Sequence, residues 1–299
     1  MELTRTRELL PTVIWRESSP STNAELRQLA AADPALPHGT LLATADQTAG
    51  RGRLDRGWIT PPDSAIAASL LLRPTGRGDL PVSWLPLIAG SAVTTALQPL
   101  FRPGAAASAD ATAGHETSGA SAEAKRVGVK WPNDVHVRDE DDAIAGRPGR
   151  KLCGILCELL PDGSVIVGTG FNLLIPEWEL PTERATSLLA AGADVSAEGL
   201  GEARSLADAA GRDLADRVLA AYAAEMLRLV DLGGRDRGAV QARAARHSLT
   251  LGTEVRVHLP GDEVVDGRAR ELADDGSLVV DLPTGGRLTV SAGDVEHLR

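Results

Sequence analysis

The chain has 299 residues, 43% hydrophobic and 24% charged, so it is long enough to bury the core of one large domain and a second, smaller one. Its formal net charge of −10 disfavours a general binder of the nucleic-acid backbone, because such proteins carry a basic face. From this charge we expect no binding of nucleic acid. No segment has the apolar run of a signal peptide or a membrane span, so we also expect a cytoplasmic protein that does not bind a membrane.

The first part of the chain alternates predicted strands and helices. Apolar patterning predicts strands at 12–15, 39–45 and 64–73 and helices at 24–32 and 85–100. From Pro103 to about Ala124 the sequence is mostly Ala, Ser, Gly, Thr and Asp, with almost nothing to bury. This composition predicts a disordered insertion on the surface.

The second part begins with predicted strands that form hairpins. Strands are predicted at 127–130, 135–138, 152–160 and 164–174, which indicates antiparallel pairing, and a long helix is predicted at 206–232. Four short alternating strands follow, at 254–259, 267–272, 278–281 and 287–290. The pattern predicts an α/β (α+β) domain over residues 1–247 and a small β-barrel over residues 248–299.

Two side-chain types are unusually rare and therefore informative. The chain has only three lysines (Lys125, Lys130, Lys151) and three asparagines (Asn23, Asn133, Asn172). Arginine and other polar residues have replaced them elsewhere, so we treat the remaining lysines and asparagines as candidates for a site. The two cysteines, Cys153 and Cys157, lie four apart in a predicted strand, too far apart for a disulfide, and we interpret them as buried apolar groups.

A loop rich in glycine and arginine separates two predicted strands. The segment from Gln47 to Trp58 places Arg51, Arg53 and Arg56 among glycines. Glycines let a ligand approach the backbone, and guanidinium groups bind phosphate oxygens. The spacing is neither a P-loop nor a dinucleotide-binding motif. Taken alone, a solvated basic loop remains the alternative interpretation.

Three further motifs lie at the ends of predicted strands or within them. Lys130-Trp131-Pro132-Asn133-Asp134 ends one strand, and its Asn-Asp pair suits a base edge or a metal, although it is also good turn chemistry. Gly149-Arg150-Lys151 begins the next strand, in which Gly154 leaves bare backbone. Gly168-Thr169-Gly170-Phe171-Asn172 completes the set one strand away.

Together with Ser21-Thr22-Asn23, these motifs have the order and rough spacing seen in biotin protein ligases, which the chain resembles from about residue 12 to residue 299. The resemblance implies a catalytic domain like that of class II aminoacyl-tRNA synthetases, with a mixed or antiparallel sheet, followed by an SH3-like β-barrel. It also implies a ligase that activates biotin with ATP and Mg²⁺ to biotinyl-5'-AMP. The acceptor would be a lysine of a biotin carboxyl carrier domain, in an acyl-CoA or pyruvate carboxylase.

The resemblance also implies roles for individual residues. Lys151, Arg51 and Arg53 would be catalytic, with Lys151 beside the biotin carboxylate and the α-phosphate. Trp58 would belong to the ordered flap near the adenine, and Asp134 would bind the metal ion. The implied biotin-binding residues are Ser21, Thr22, Asn23, Gln47, Gly50, Arg51, Lys151, Gly154 and Gly170, and the implied ATP-binding residues are Arg53, Trp58, Lys130, Trp131, Asn133, Asp134 and Asn172.

The sequence departs from the family pattern in three places. Asp55 stands where glycine is common, residues 103–124 are inserted, and residues 139–148 lengthen the link to Lys151. Asp55 would either weaken phosphate affinity or pair with a neighbouring arginine. Neither insertion removes a motif residue, so we expect altered loops and retained catalysis.

Three alternatives stay open at this stage. A lipoate or octanoate ligase of the same superfamily has the same fold, and a non-catalytic biotin or nucleotide sensor needs the same pocket. A repressor with an N-terminal helix-turn-helix is disfavoured, because only about twenty residues precede Ser21.

Overall fold

The computed structural model describes residues 1–53, 56–58, 61–73, 81–101, 125–259, 263–291 and 293–298. Two features singled out in the sequence lie outside these residues: Asp55 and the predicted insertion at 103–124.

A seven-stranded mixed sheet forms the centre of the molecule. Its strands are β1 (Val13–Arg16), β2 (Leu41–Thr44), β5 (Ala65–Leu72), β6 (Arg126–Lys130), β7 (Asp134–Arg138), β8 (Arg150–Leu159) and β9 (Val165–Asn172), in the spatial order β1-β2-β5-β9-β8-β7-β6. Only β1 and β2 pair in parallel, and every other neighbouring pair is antiparallel. The structure therefore confirms the predicted α/β class and the mixed sheet.

Two short strand pairs accompany this sheet. One joins β3 (Gly50–Arg51) to β4 (Gly57–Trp58), and the other joins β10 (Ser196–Ala197) to β11 (Gly201–Glu202). The first pair is a small ribbon within the glycine-arginine loop, which the sequence did not predict.

The helices are α1 (Thr4–Leu9), α2 (Thr22–Ala32), α3 (Leu85–Leu97), α4 (Glu140–Ile144), α5 (Ala209–Arg235) and α6 (Arg237–His247). Helices α3 and α5 pack against each other and cover one face of the sheet, where the main core lies. Helix α2 packs on the opposite face over a smaller apolar cluster, which includes Leu26, Leu42 and Ile166.

Alternation along the strands decides which face is polar. In β9, Val167 and Phe171 point into the main core, whereas Gly168 and Gly170 belong to the face that carries α2. In β5, Ala68 lies in the main core and Ser69 faces α2. The face opposite the main core therefore carries small or polar residues beside α2, which leaves room for a ligand.

The prediction for the long helix was wrong at both ends. Instead of 206–232, α5 runs from Ala209 to Arg235, because the Asp208 carboxylate accepts a hydrogen bond from the N–H of Gly211 and sets the start. The glycines at 233 and 234 do not end it. Asp236 ends α5, and its side chain caps α6, a helix that the sequence analysis missed.

The apolar segment Val82–Phe101, which contains α3, is long and apolar enough to cross a membrane. Since 67% of its most apolar 18-residue stretch is buried inside the protein, between the sheet and α5, it is a core helix.

The C-terminal part is a five-stranded antiparallel sheet. Its strands are β12 (Glu254–His258), β13 (Val264–Leu272), β14 (Leu278–Asp281), β15 (Arg287–Val290) and β16 (Asp294–His297), in the order β15-β14-β13-β12-β16. This confirms the appended β domain but adds β16, which the sequence analysis missed. The indole N–H groups of Trp84 and Trp131 donate to the carbonyls of Asp274 and Gly276, so hydrogen bonds tie this sheet to the rest of the molecule.

Candidate active site

A cleft of about 900 Å³, including its open mouth, lies on the face of the central sheet that carries α2. Segments far apart in sequence meet there: the start of α2, the glycine-arginine loop, the β7–β8–β9 strands and the start of β16. Of the predicted site residues, the following line it: Ser21, Thr22, Asn23, Gln47, Arg51, Arg53, Trp58, Asn133, Asp134, Lys151, Gly154 and Gly170.

The floor of the cleft is bare backbone covered by one aromatic ring. Gly154 in β8 and Gly170 in β9 are paired across the two strands. A Cβ atom on Gly170 would lie 2.5 Å from the Trp58 indole, and one on Gly154 would lie 2.9 Å from it. The indole therefore packs directly against these two glycines, which leaves no space for a side chain at either position.

Lys151 enters the cleft from the start of β8. Its ammonium nitrogen lies 2.8 Å from Asp134 Oδ1 and 5.6 Å from the centre of the Trp58 ring. Its backbone N–H donates to the carbonyl of Arg184, and its carbonyl accepts from the N–H of Thr186. With its backbone held on both sides, Lys151 presents a positioned charge at the edge of the floor.

The protein packs uncharged groups behind Lys151. His136 faces Lys151 across β7 and β8, is buried, and contacts the carbonyl of Gly149 through Nδ1 at 3.1 Å. Burial lowers the pKa of His136 to about 3, so it is neutral at pH 7. Desolvation also raises the pKa of Cys153 and raises that of Cys157 to about 12, so both thiols are protonated at pH 7. The interpretation as a buried apolar group is confirmed for Cys153, whereas Cys157 is only partly buried.

One end of the cleft is lined by a network of neutral polar groups. Gln47 Oε1 accepts from the backbone N–H of Thr22 at 2.9 Å and lies 3.2 Å from Thr22 Oγ1. The hydroxyl of Ser69 lies 2.8 Å from Thr22 Oγ1 and 2.6 Å from Asn23 Oδ1. Ser21 caps α2 through the N–H of Ala24. This end suits a neutral ligand with several hydrogen-bonding groups.

The glycine-arginine loop lies over the other end. Arg53 Nη1 donates to Asn133 Oδ1 at 3.2 Å, while Asn133 Nδ2 donates to the carbonyl of Ile155 at 2.7 Å. Gly50 does not line the cleft but packs closely against Gln47 and the Trp58 carbonyl within the loop. A Cβ atom there would lie 2.3 Å from Gln47 Nε2.

The C-terminal domain contributes to the cleft, which the sequence analysis missed entirely. Asp294 forms a hydrogen-bonded ion pair with Arg56, and the carbonyl of Gly293 accepts from Arg53 at 3.4 Å. Burial raises the pKa of Asp294 and the Arg56 hydrogen bond lowers it, with a net pKa below its ordinary value. No sequence signal marked Asp294, because it lies 238 residues from its arginine partner.

Three predicted ATP-binding residues do not line the cleft. Trp131 is buried between the domains, where its backbone N–H donates to Thr250 Oγ1 and its indole N–H to the carbonyl of Gly276. Lys130 Nζ donates to the carbonyl of Val295 at 2.6 Å. Burial lowers the pKa of Lys130 more than the charges of Asp134 and Asp294 raise it, so its pKa lies below the ordinary value. Asn172 is buried, with Nδ2 on the carbonyl of Thr186 and Oδ1 without a partner among the described residues.

Comparison with known proteins gives the same family over both domains. Residues 15–172 match the Biotin/lipoate A/B protein ligase family, and residues 250–298 match the Biotin protein ligase C terminal domain. The chain is 35% identical over 294 residues to a Biotin--[acetyl-CoA-carboxylase] ligase of Mycobacterium tuberculosis, an alignment that covers 95% of this chain and 90% of the relative. It is 34% identical over 157 residues to a protein of the same name from Paracoccus denitrificans, with 51% of each chain covered.

Solved structures share the fold. A biotin protein ligase of Aquifex aeolicus, in complex with biotin and ATP, superposes with a TM-score of 0.64 at 23% identity, covering 97% of this chain and 100% of the other. A biotin protein ligase of Leishmania major, in complex with biotinyl-5-AMP, gives a TM-score of 0.53 at 23% identity, covering 97% and 99%. On the two matched domains and the full-length relative, this chain belongs to the biotin/lipoate A/B protein ligase family and has the C-terminal domain of the biotin protein ligases.

Proposed function

We propose that the protein is a biotin protein ligase, which joins biotin to AMP at the expense of ATP and passes the biotinyl group to one lysine of a carrier protein. The observation that carries this proposal is the position of Lys151. Its ammonium lies at the edge of a glycine floor, between a neutral polar end and an arginine-rich end of one cleft.

The cleft suits biotin in one orientation, with the ureido ring at the neutral polar end. The neutral network of Thr22, Gln47 and Ser21 matches the ureido ring, which is uncharged and offers N–H and C=O groups. The Trp58 indole supplies a flat apolar surface for the fused rings. The carboxylate of the side chain then reaches Lys151, and the nucleotide lies towards Arg53 and Asn133.

The first half-reaction is an attack by the biotin carboxylate on the α-phosphorus, with pyrophosphate as the leaving group. Charge builds up on the α-phosphate oxygens in the transition state, and the fixed ammonium of Lys151 stabilises it there. Asp134 orients that ammonium through the 2.8 Å ion pair. Arg51 and Arg53 extend positive charge towards the β- and γ-phosphates. In the second half-reaction the acceptor lysine attacks the acyl carbon of the anhydride, and AMP leaves.

The donor set of the cleft fits a magnesium ion that is carried by the triphosphate. The described residues contain no group of three His, Cys, Asp or Glu side chains able to hold a metal by themselves. Mg²⁺ in nucleotide sites usually takes one or two carboxylates together with phosphate oxygens and water. Asp134 and Asp294 both line the cleft, and either carboxylate suits this role. The ion would neutralise the triphosphate.

The carrier belongs to the same proposal. The name of the Mycobacterium tuberculosis relative supports a carrier domain of acetyl-CoA carboxylase as the acceptor, and we extend this to the carrier of a pyruvate carboxylase. The negative net charge supports a protein without affinity for the nucleic-acid backbone, and we propose that it is cytoplasmic. We also propose residues 1–247 and 248–299 as its two domains.

The test is biotin-dependent exchange of pyrophosphate into ATP, because this isolates adenylation from the carrier. We expect exchange with the wild type and a loss of at least about a hundredfold with Lys151→Ala, the scale of removing one group that stabilises developing charge. Lys125→Ala is the matched control. Lys125 donates to the carbonyl of Ala191, outside the cleft, so exchange should stay at the wild-type rate.

Other acids are tested in the same assay. Exchange that depends on lipoate or octanoate and not on biotin would contradict the proposal and favour the alternative ligases. Biotin binding without any exchange would favour a sensor.

A further inference from the structure

A chain of hydrogen bonds leads from the surface of α2 to the polar end of the cleft. It begins with the Arg27–Glu158 ion pair, in which Arg27 Nη1 lies 2.6 Å from Glu158 Oε2. The other oxygen of Glu158 accepts from Asn23 Nδ2 at 2.9 Å. Asn23 Oδ1 accepts from Ser69, whose hydroxyl also contacts Thr22. The chain therefore ends at a hydroxyl that lines the cleft.

The orientation of the Asn23 amide is determined by its neighbours. Its nitrogen faces two oxygens that only accept, Glu158 Oε1 and the carbonyl of Leu156, the latter at 3.2 Å. The amide nitrogen must therefore point to β8, and the amide oxygen must point to Ser69. Gly168 makes this arrangement possible, because a Cβ atom on it would lie 2.3 Å from Asn23 Oδ1.

This orientation determines the direction of every later hydrogen bond. Ser69 has one hydroxyl hydrogen, and its shorter contact, 2.6 Å, is with Asn23 Oδ1, an acceptor. Ser69 then has only lone pairs to offer to Thr22. Gln47 Oε1, the other neighbour of the Thr22 hydroxyl, is also only an acceptor. The Thr22 hydroxyl therefore donates its hydrogen to one of these two acceptors, away from the cleft. Its oxygen lone pairs remain able to accept a hydrogen bond from a ligand.

We propose that Glu158, Asn23 and Ser69 are positioning residues that make Thr22 Oγ1 a hydrogen-bond acceptor, and so select a ligand with an N–H group at that point. The inference rests on the proposed function, in which this N–H belongs to the ureido ring of biotin. Asn23 and Ser69 are buried, and the Glu158 side chain is 27% exposed, so water competes little for these bonds.

Removal of the Glu158 carboxylate should allow the hydrogen bonds between Asn23, Ser69 and Thr22 to run in the opposite direction. In Glu158→Ala the amide nitrogen of Asn23 keeps only its 3.2 Å bond to the carbonyl of Leu156. The Arg27 guanidinium, released from its ion pair, only donates and therefore favours an amide oxygen on that side. The amide nitrogen would then donate to the Ser69 hydroxyl, and Ser69 would donate to Thr22. This bond would occupy a lone pair of Thr22 Oγ1 that otherwise accepts from the ligand. Glu158→Gln keeps an oxygen acceptor for Asn23 and should behave as the wild type.

The experiment measures the dissociation constants of biotin and of two analogues by calorimetry. In one analogue, a cyclic carbamate, oxygen replaces the ureido N–H that faces Thr22. The other, desthiobiotin, keeps both N–H groups. We expect the wild type to prefer biotin over the carbamate by roughly a hundredfold, because the carbamate places two acceptors face to face. Glu158→Ala should reduce this preference to roughly tenfold, a change of about one power of ten in relative affinity.

Three controls separate a change of direction from general damage. The preference for biotin over desthiobiotin should stay the same in Glu158→Ala, and so should the KM for ATP. Asp266→Ala removes a comparable ion pair, with Arg256 at 2.7 Å in the C-terminal domain, and should leave all three affinities unchanged.

An unchanged carbamate preference in Glu158→Ala would overturn the inference. So would an equal loss of affinity for all three ligands together with a raised KM for ATP, because that result indicates damage to the whole cleft. If the wild type binds no biotin, the proposed function itself fails. Biotin binding by the wild type with an unchanged carbamate preference in the variant removes only the positioning role.

Discussion

At the scale of single residues, the cleft depends on three glycines, which leave space because they have no side chain. Gly154 and Gly170 provide the surface on which the Trp58 indole lies, and Gly168 provides the space for the Asn23 amide. Gly168 and Gly170 lie two residues apart in β9, and Gly154 of β8 pairs with Gly170, so all three share the face opposite the main core. On that face a methyl group would take space that a ring or an amide now fills.

Gly170→Ala tests this dependence. The added Cβ would lie 2.5 Å from the indole, so the ring must move into the cleft. Overpacking of this kind costs about 1–3 kcal/mol, and we expect the KM for biotin in pyrophosphate exchange to rise about tenfold or more.

Gly238→Ala is the matched control for that substitution. Its Cβ would have Asp236 Oδ1 as nearest atom, at an ordinary contact distance of 3.5 Å, and should leave the KM unchanged. A KM for biotin in Gly170→Ala equal to that of the wild type would show that the indole does not need this surface.

At the scale of elements, the glycine-arginine loop is held by the C-terminal sheet and not only by its own short ribbon. Strands β3 and β4 share two residue pairs, which is too little to order a loop of this composition. The start of β16 supplies the missing contacts, Asp294 to Arg56 and the carbonyl of Gly293 to Arg53. The loop therefore closes onto the second domain.

Asp294→Ala should loosen the loop without unfolding the protein. The Arg56 side chain is 66% exposed, and an ion pair this exposed contributes at most about 1 kcal/mol, so the melting temperature should change little. Cleavage by trypsin after the loop arginines should become several times faster, as followed by mass spectrometry of the fragments.

Asp266→Ala is the control in this experiment, since its partner Arg256 belongs to the same C-terminal sheet and not to the loop. Equal cleavage rates in Asp294→Ala and the wild type would mean that the loop is ordered by other contacts.

At the scale of the whole molecule, buried neutral histidines make stability depend on pH. The pKa of His136 is lowered by burial to about 3 in the folded protein, against 6.5 for an ordinary histidine. Well above pH 6.5 neither state binds this proton. As the pH falls below 6.5 the unfolded chain takes it up and the folded protein does not, so the stability present at neutral pH is lost progressively towards pH 3.

His136→Gln tests this linkage between pH 7 and pH 5, where carboxylates contribute little. The free energy of unfolding of the wild type, measured with urea, should fall with decreasing pH, and His136 accounts for at most about 1.4 kcal/mol per pH unit of that slope. His247 and His297, whose pKa values burial lowers to about 4, act in the same direction. The slope should be smaller in His136→Gln, even if the variant is less stable at pH 7. An unchanged slope would contradict a neutral buried His136.

Much of the architecture and most of the site were accessible from the sequence. Strand and helix periodicity predicted all seven strands of the central sheet close to their observed ends, because that pattern reflects burial on one or two faces. The motifs also predicted that Lys151, Asp134, Gly154 and Gly170 belong to one site, and the structure brings these four residues together. Helix α6 was missed, since its mostly polar and alanine-rich sequence has few apolar residues to mark a periodicity.

What the sequence by itself determined is therefore local: which segments are strands or helices, and which short motifs carry unusual chemistry. The tertiary structure alone decided that Trp131 is buried between the domains and does not line the cleft, and that Asp294 and Glu158 serve the cleft from distant strands. The physical reason is that periodicity records only whether a position is buried. The partner that a buried or charged group meets depends on sheet order and on how the domains pack, which no local pattern contains.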